Sequence, residues 1–243
     1  MRGRRAGAIG RKIEHFTEVD STNDTAKKLA RGGAVEGTVV IADVQKGGRG
    51  RFGRSWSSPS GGVWLSVILR PDTDSERLSL LPLVAGSAVA NVLKGLYGID
   101  AHVRWPNDVL IGDRKVAGIL TELVDSVIVL GIGINANIDL DALPAEVRKT
   151  ATTLKAELKK EVSRTALLDR LFSELEDAYG KFNAGSATIN CSTIKKRVKI
   201  LTKGRELMGI AEALDETGAL LLRLEDGSLE RIISGDCVHL RSG

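Results

Sequence analysis

A glycine- and arginine-rich segment, KGGRGRFGRSW (residues 46–56), contains the residue types best suited to binding an anionic group. It carries the cations Lys46, Arg49, Arg51 and Arg54 and no acid. Glycines let backbone amides approach a ligand closely, and arginines offer bidentate hydrogen bonds to phosphate or carboxylate. Because like charges repel, a bound anion would stabilise such a cluster. The segment predicts an anion-binding loop, with a solvated charged loop as the alternative.

The same segment contains three glycines in the spacing G-x-G-x-x-G, which is typical of dinucleotide-binding sites. In such a site the third glycine begins a helix whose N-terminus faces the pyrophosphate. Here Gly53 is followed by RSWSSPSGG and then by a strand-like run, and Asp72, near the required offset of ~20 residues, lies in a turn. The context rules out a Rossmann site. The P-loop pattern G-x-x-x-x-G-K-[ST] does not occur either.

A second polar group lies in RWPNDVLIGDRKVAGILTEL (residues 104–123). Asn107 and Asp108 follow a short strand where the chain turns, and Lys115 begins the otherwise apolar run KVAGIL. Either feature alone fits an ordinary turn or an edge lysine that extends into solvent. Both together, downstream of a cationic glycine loop, predict a polar binding site.

These segments need a scaffold of strands and helices to bring them together. KIEHFTEVD, GTVVIADVQ and VWLSVILR are predicted strands, and Ser21 is a plausible N-cap for a helix in STNDTAKKLAR. Residues 75–97 have a long helical pattern with a break at Pro82. Residues 101–137 are typical of a strand meander, and residues 163–182 of an amphipathic helix with Leu167, Leu168, Leu171 and Leu175 on its apolar side.

The pattern changes near Arg197, where short strands separated by turn residues predict a small β-barrel. We therefore predict two domains: a mixed α/β domain in residues 1–190 and a C-terminal barrel in residues 191–243.

Composition describes an ordinary soluble globular protein, with 42% hydrophobic and 27% charged residues, and the net charge of +4 suits an anionic ligand without requiring nucleic acid. Cys191 and Cys237 are isolated and the three histidines are scattered, which argues against a disulfide framework or a zinc cluster. The basic start MRGRRAGAIGRK lacks the apolar region of a signal peptide. No stretch reaches the ~18 apolar residues that we expect of a membrane helix. These features predict a cytoplasmic protein with no membrane association.

Five segments, in order along the chain, resemble the biotin protein ligases: DSTN (20–23), GRGRFGRSW (48–56), RWPND (104–108), KVAGIL (115–120) and GIGINAN (131–137). The likeness extends from about Lys12 to the C-terminus. The resemblance implies an α+β fold: a mixed sheet with flanking helices on one side, as in class II synthetases, and a C-terminal SH3-like domain.

The family's reaction joins biotin to ATP, with Mg²⁺, to give biotinyl-5′-AMP and pyrophosphate. The ligase then transfers the biotinyl group to a lysine of a biotin carboxyl carrier protein. This chemistry suits the cationic loop, because a carboxylate and an α-phosphate repel each other unless positive groups offset their charge. A loop that closes would also keep the acyl-adenylate from water.

The resemblance implies three catalytic residues, Arg49, Arg51 and Lys115. Arg49, Gly50 and Arg51 would lie over biotin and the phosphate, and Lys115 would lie beside the biotin carboxylate and the α-phosphate. Position 52 is Phe where some members have Arg, which removes one cation and predicts altered ordering of the loop.

The remaining ligand contacts that the resemblance implies are mostly neutral. Around the ureido end of biotin they are Ser21, Thr22 and Asn23, and Gln45 is a further ligand contact. On the nucleotide side they are Trp56, Asn107, Asp108 and Asn135. Asp108 is also a candidate for contact with Mg²⁺ or with the carrier lysine.

Two alternatives remain. Lipoate or octanoate ligases have the same general fold but typically carry an R-R-x-S-G-G-G-like loop, where this chain has GRGRFG. A non-catalytic biotin- or RNA-binding module could use the barrel and the basic run KKRVK (195–199). Few residues precede the first strand, too few for the winged helix of the family's repressors, so we expect no DNA binding. We expect a homodimer that pairs through sheet edges. The sequence does not specify which carrier protein is the physiological acceptor.

Overall fold

The computed structural model of the chain describes residues 8–240. Residues 1–7, which include most of the basic start, and residues 241–243 lie outside the described residues, as do the outer ends of the two predicted domains. In the described part, a seven-stranded mixed sheet precedes a five-stranded antiparallel sheet.

The seven-stranded sheet has the order β1-β2-β3-β7-β6-β5-β4, in which β1 and β2 are parallel and the other neighbours antiparallel. Its elements are β1 (Ile13–Val19), α1 (Thr22–Arg31), β2 (Val39–Gln45), β3 (Val63–Leu69), α2 (Leu81–Tyr97), β4 (Ala101–Arg104), β5 (Asp108–Ile111), β6 (Arg114–Val124) and β7 (Val127–Ile134). Three helices follow: α3 (Ala145–Arg148), α4 (Leu154–Leu158) and α5 (Arg164–Asn183). The predicted strands, meander and amphipathic helix are confirmed, whereas the short helices α3 and α4 were not expected.

Helices cover both faces of this sheet. Successive strand residues point to opposite faces, so Val39 packs with α2 and α5 while its neighbour Val40 packs against Ala26 and Ala30 of α1. The expectation of helices on one side holds for α2 and α5 but is wrong for α1. The physical reason is the continuous apolar sequence of the central strands, which requires cover on both sides.

The segment Ser75–Tyr97 contains a 3₁₀ helix (Ser75–Leu80) followed by α2, and Pro82 lies in the first turn of α2, as the predicted break required. Contrary to the sequence expectation, this segment is long and apolar enough, with a mean hydropathy of 1.4, to cross a membrane by length and composition. More than half of it is buried inside the protein, where α2 packs on β4, β5, β6 and α5. Its apolar character therefore serves the core.

The C-terminal sheet consists of β8 (Arg197–Thr202), β9 (Arg205–Leu214), β10 (Leu220–Leu224), β11 (Leu229–Ile232) and β12 (Asp236–His239), in the order β11-β10-β9-β8-β12. Its inward residues, such as Val198 and Leu222, belong to the same buried cluster as the residues between the large sheet and α2. Trp105, which is 1% exposed, connects the two parts: its Nε1 donates to the Gly218 carbonyl (3.1 Å) and its backbone N–H to Thr193 Oγ1 (3.0 Å). The contact between the two sheets is thus apolar and hydrogen-bonded.

We expect Trp105→Phe to lower the free energy of unfolding by about 2 kcal/mol, because it leaves a cavity and removes the donor to a buried carbonyl. Denaturant unfolding followed by circular dichroism measures this change. Tyr97→Phe is a suitable control, since the Tyr97 hydroxyl is buried and has no hydrogen-bond partner within residues 8–240. Equal stability of Trp105→Phe and Tyr97→Phe would contradict the role of Trp105.

Candidate active site

A cavity of about 320 Å³ lies on the face of the large sheet that α1 only partly covers. Strands β6 and β7 contribute three glycines to it, Gly118, Gly131 and Gly133. A Cβ at Gly133 would lie 2.6 Å from Trp56 Nε1, and a Cβ at Gly131 would lie 2.3 Å from Asn23 Oδ1. Only glycine allows these side chains to lie directly on the sheet. Sequence reasoning missed this role, although glycine at alternate strand positions signals close approach of another group.

One end of the cavity holds neutral hydrogen-bonding groups from the start of α1. Ser21 is the N-cap residue, as predicted, but its hydroxyl makes no capping bond. Gln45 Oε1 accepts from the Thr22 backbone N–H (2.8 Å) and hydroxyl (3.0 Å). The Ser66 hydroxyl lies 2.6 Å from Asn23 Oδ1 and 2.7 Å from Thr22 Oγ1. This end suits an uncharged polar group, and the fully buried Ser66, which the sequence did not reveal, orients Thr22 and Asn23.

Acids adjoining this end compensate the charge of Arg49. Its guanidinium forms a bidentate pair with Asp24 and lies 3.4 Å from Glu122. Glu122 also accepts from Asn23 Nδ2 (2.6 Å) and pairs with Lys27 (2.5 Å). Burial alone would raise the pKa of Glu122, but Lys27, Asn23 and Arg49 outweigh burial and hold that pKa below its ordinary value. The network fixes Asn23 and Arg49 in place.

The opposite end is electropositive around Asp108. The β4–β5 hairpin pairs Arg104 with Asp108, and Lys115 lies near the start of β6, so three strands bring these residues together. Lys115 Nζ lies 2.5 Å from one carboxylate oxygen of Asp108, and Arg104 Nη2 lies 2.7 Å from the other. Burial favours a higher pKa for the Asp108 carboxyl, but the two cations reverse the effect and lower that pKa. Lys115 Nζ also lies 4.9 Å from the centre of the Trp56 ring.

The cationic loop closes one side of the cavity by reaching the C-terminal sheet. Arg51 donates to the Gly235 carbonyl (3.0 Å) and to the Ser234 hydroxyl (2.5 Å), and Arg54 forms a bidentate pair with Asp236. Within residues 8–240, Arg51 hydrogen-bonds only neutral acceptors. Its charge is therefore available to an incoming anion.

The structure brings together all but one of the predicted contacts. Those that line the cavity are Ser21, Thr22, Asn23, Gln45, Arg49, Gly50, Arg51, Trp56, Asn107, Asp108 and Lys115. Asn135 does not line it: this residue is 3% exposed, and its side chain donates to the Thr152 carbonyl (3.0 Å). The Asn107 side chain donates to the Ile119 carbonyl (2.6 Å) and so ties the β4–β5 turn to β6.

The described residues contain no cluster of three or more His, Cys, Asp or Glu side chains arranged to hold a metal ion. Asp108, a possible Mg²⁺ contact, already uses both oxygens for Lys115 and Arg104. The contact of Asp108 with Mg²⁺ stays a prediction.

Comparisons with known proteins agree along most of the chain. The family model described as "Biotin/lipoate A/B protein ligase family" matches residues 16–139, and the model described as "Biotin protein ligase C terminal domain" matches residues 193–240. The chain is 34% identical to the bifunctional ligase/repressor BirA of Bacillus subtilis over 96% of this chain and 76% of that protein. It is 33% identical to the biotin–[acetyl-CoA-carboxylase] ligase of Mycobacterium tuberculosis over 97% and 92% of the two chains.

Among solved structures, the biotin protein ligase of Aquifex aeolicus in complex with biotin and ATP is similar, with a TM-score of 0.83 and 32% identity. The match covers 96% of this chain and 100% of that one. Both sheets of the present structure therefore have counterparts in that fold.

We expect Asp108→Asn to lower the free energy of unfolding at pH 7 by about 2 kcal/mol, because Lys115 and Arg104 would face each other without a carboxylate. The folded pKa of Asp108 is depressed, so its contribution is complete above its unfolded pKa and disappears as pH falls through the lower folded pKa. The difference between wild type and variant should therefore shrink below about pH 4.

Denaturant unfolding at several pH values measures this difference. Asp141→Asn is the matched control: Asp141 pairs with Arg148, but its side chain is 94% exposed, so its loss should change stability little. A loss of stability for Asp108→Asn that is the same at pH 7 and at pH 3 would contradict the electrostatic account.

Proposed function

Because the chain belongs to the biotin/lipoate A/B protein ligase family, we propose that its cavity binds biotin and ATP, forms biotinyl-5′-AMP, and transfers biotin to a lysine of a biotin carboxyl carrier protein. The observation that carries this proposal is a single cavity with a neutral hydrogen-bonding end and a cationic end. These two ends match a neutral bicyclic urea and a reacting pair of anions.

The neutral end suits the ureido group of biotin. Thr22, Asn23 and Gln45 offer donors and acceptors whose orientations are fixed by bonds to one another and to Ser66 and Glu122. A preorganised set of this kind binds a urea without the free-energy cost of reorienting its side chains. Asp24 and Glu122 compensate the charge of Arg49, so this end does not become a second anion site.

The cationic end suits the carboxylate of biotin and the α-phosphate of ATP. Lys115 and Arg104 share one carboxylate, and Arg51 has none, so this end keeps a net positive charge. In-line attack of the biotin carboxylate on the α-phosphorus places additional charge on the phosphate oxygens. Lys115 and Arg51 are preorganised donors for that charge, and fixed donors in a site that excludes water contribute most to the rate.

Trp56 and Asn107 lie on the side proposed for the nucleotide. The indole of Trp56 packs over Gly118 and Gly133 and faces Lys115, so it gives this end a flat apolar wall. Mg²⁺ enters as the ion bound to the phosphates of ATP, because the chain has no metal cluster of its own in the described part. Asp108 acts through Lys115 and Arg104, which it holds in place.

The loop and the second family model favour biotin over lipoate as substrate. The loop reads GRGRFG rather than the R-R-x-S-G-G-G-like sequence, and the C-terminal sheet coincides with the biotin protein ligase model. A non-catalytic module would not need the Lys115–Asp108–Arg104 arrangement in the floor of a binding cavity. The cytoplasmic location, the homodimer and the absence of DNA binding stay predictions.

The direct test is biotin-dependent exchange of pyrophosphate into ATP, followed by mass measurement of a carrier domain incubated with biotin, ATP and Mg²⁺. We expect biotin to stimulate exchange and the carrier mass to rise by one biotinyl group. Stimulation by lipoate but not by biotin would favour the lipoate ligase, and no exchange with either would contradict the proposed reaction.

We expect Lys115→Ala to lower biotin-dependent pyrophosphate exchange by at least about 100-fold, because it removes a fixed cation beside the reacting groups. Circular dichroism should show an unchanged fold. Lys94→Ala removes an exposed lysine from the last turn of α2 and should keep wild-type activity. An unchanged exchange rate in Lys115→Ala would refute its role.

We expect Arg51→Gly to release biotinyl-5′-AMP faster, because the loop loses both its anion contact and its bonds to Ser234 and Gly235. Trapping of labelled adenylate after a chase measures the release rate. Lys46→Ala, which removes a cation of the same loop that pairs with Glu18, tests whether charge alone matters. If Arg51→Gly retained the adenylate as long as wild type, the loop would not be a lid.

A further inference from the structure

Residues 234–236, which comprise the end of the turn between β11 and β12 and the first residue of β12, are the part of the C-terminal sheet that binds the cationic loop. Ser234 and Gly235 accept from Arg51, and Asp236 pairs with Arg54. Asp236 also lines the cavity. The loop is therefore held from outside the large sheet, by residues more than 180 positions away in sequence.

The turn is held by contacts with β8 that do not involve the loop. The Thr202 hydroxyl donates to the Ser234 carbonyl (2.5 Å), and Asp236 pairs with Leu201 of β8. A Cβ at Gly235 would lie 2.9 Å from Ile200 Cγ2, so the turn packs directly on β8. A rigid turn presents its acceptors in one geometry, which makes it suitable as an anchor.

The loop is shaped to present two guanidinium groups to this turn. Phe52 has a left-handed backbone (φ 57°), and its ring lies 4.6 Å from the Arg51 guanidinium and 6.0 Å from that of Arg54. The Phe52 ring therefore supports both arginines where some family members have a further cation. Gly50 N–H donates to the Arg54 carbonyl (2.7 Å), which closes the loop on itself.

The two arginines have different hydrogen-bond partners. Asp236 takes the charge of Arg54, whereas Arg51 binds a carbonyl and a hydroxyl. Had the carboxylate faced Arg51 instead, it would compete with the phosphate of the adenylate. The arrangement lets one arginine anchor the loop while its neighbour keeps its charge for the ligand.

We propose that Asp236 is a positioning residue of the ligase reaction: through Arg54 it holds the loop closed, so that Arg51 stays over the acyl-phosphate and the adenylate is retained until transfer. This inference rests on the proposed function. It assigns to the C-terminal sheet a direct part in sheltering the intermediate. Asp236 touches no reacting group in this account.

The Arg54–Asp236 pair contributes little to folding, since the Arg54 side chain is 62% exposed and exposed ion pairs are weak. Asp236→Asn should therefore fold normally and bind biotin. Release of biotinyl-5′-AMP from the preformed complex should accelerate about fivefold, the upper size expected for an exposed pair. High salt should accelerate release from wild type but change Asp236→Asn much less.

The decisive variant exchanges the two charges. Arg54→Asp alone places two carboxylates opposite each other and should release adenylate at least as fast as Asp236→Asn. Arg54→Asp combined with Asp236→Arg should return the release rate to within about twofold of wild type. Because the exposed pair contributes little to folding, a rescue of the release rate by this charge swap would reflect anchoring of the loop rather than a change in stability. Glu230→Gln, which removes an ion pair with Arg205 in the same sheet, is the matched control and should leave release unchanged.

The outcomes separate this inference from the proposed function. Absence of biotin-dependent exchange in wild type would overturn the proposed function. Two results would overturn the anchoring role alone, given normal pyrophosphate exchange. One is an unchanged rate of biotinyl-5′-AMP release in Asp236→Asn, and the other is failure of the charge-swapped double variant to restore retention of biotinyl-5′-AMP. Faster release of biotinyl-5′-AMP in the single variants, together with wild-type retention in the charge-swapped double variant, would establish the anchoring role.

Discussion

Lys115 and Arg104 share the single carboxylate of Asp108 in the floor of the cavity, and the positive charge at this end of the cavity depends on this unequal arrangement. One carboxylate is enough to hold both cations in place but too little to neutralise them. The remaining positive charge is fixed by strands rather than by flexible side chains alone, so it needs no rearrangement when an anion arrives. The lowered pKa of Asp108 keeps the carboxylate ionised, and so keeps the cations positioned, across the neutral range.

The large sheet provides the space for this chemistry by using its two faces differently. One face is covered by α2 and α5 and forms the main core. The other is covered by α1 over only part of its area, and the uncovered part has Gly118, Gly131 and Gly133 in place of larger side chains. Core and site thus alternate along the same strand: Leu130 and Ile132 of β7 point into the core, while the glycines between and after them lie beneath Trp56 and Asn23.

The C-terminal sheet is joined to the site by two kinds of contact. Trp105 and the shared apolar cluster hold the sheet against the main domain, and this contact is buried and permanent. The contacts of Arg51 and Arg54 with the turn at 234–236 are half-exposed hydrogen bonds and an ion pair. Contacts of the second kind can open and re-form at small cost, which is what the lid function proposed for this loop requires.

The sequence by itself determined the strands, the long helices and most residues of the site. Alternating and continuous apolar runs in the sequence indicate which strand faces are buried. The arginine–glycine loop, Lys115 and Asp108 can be recognised from their residue types alone. Only the tertiary structure decided which charges compensate which. Asp24, Glu122 and Asp236 look like ordinary surface acids in the sequence. In the structure the first two pair with Arg49 and the third pairs with Arg54, whereas Arg51 forms no ion pair within the described residues. The reverse holds for Asn135, which resembles a ligand contact but binds the Thr152 carbonyl. The reason is that electrostatic pairing depends on distances across strands and domains that are far apart in sequence, whereas burial leaves a local periodic pattern.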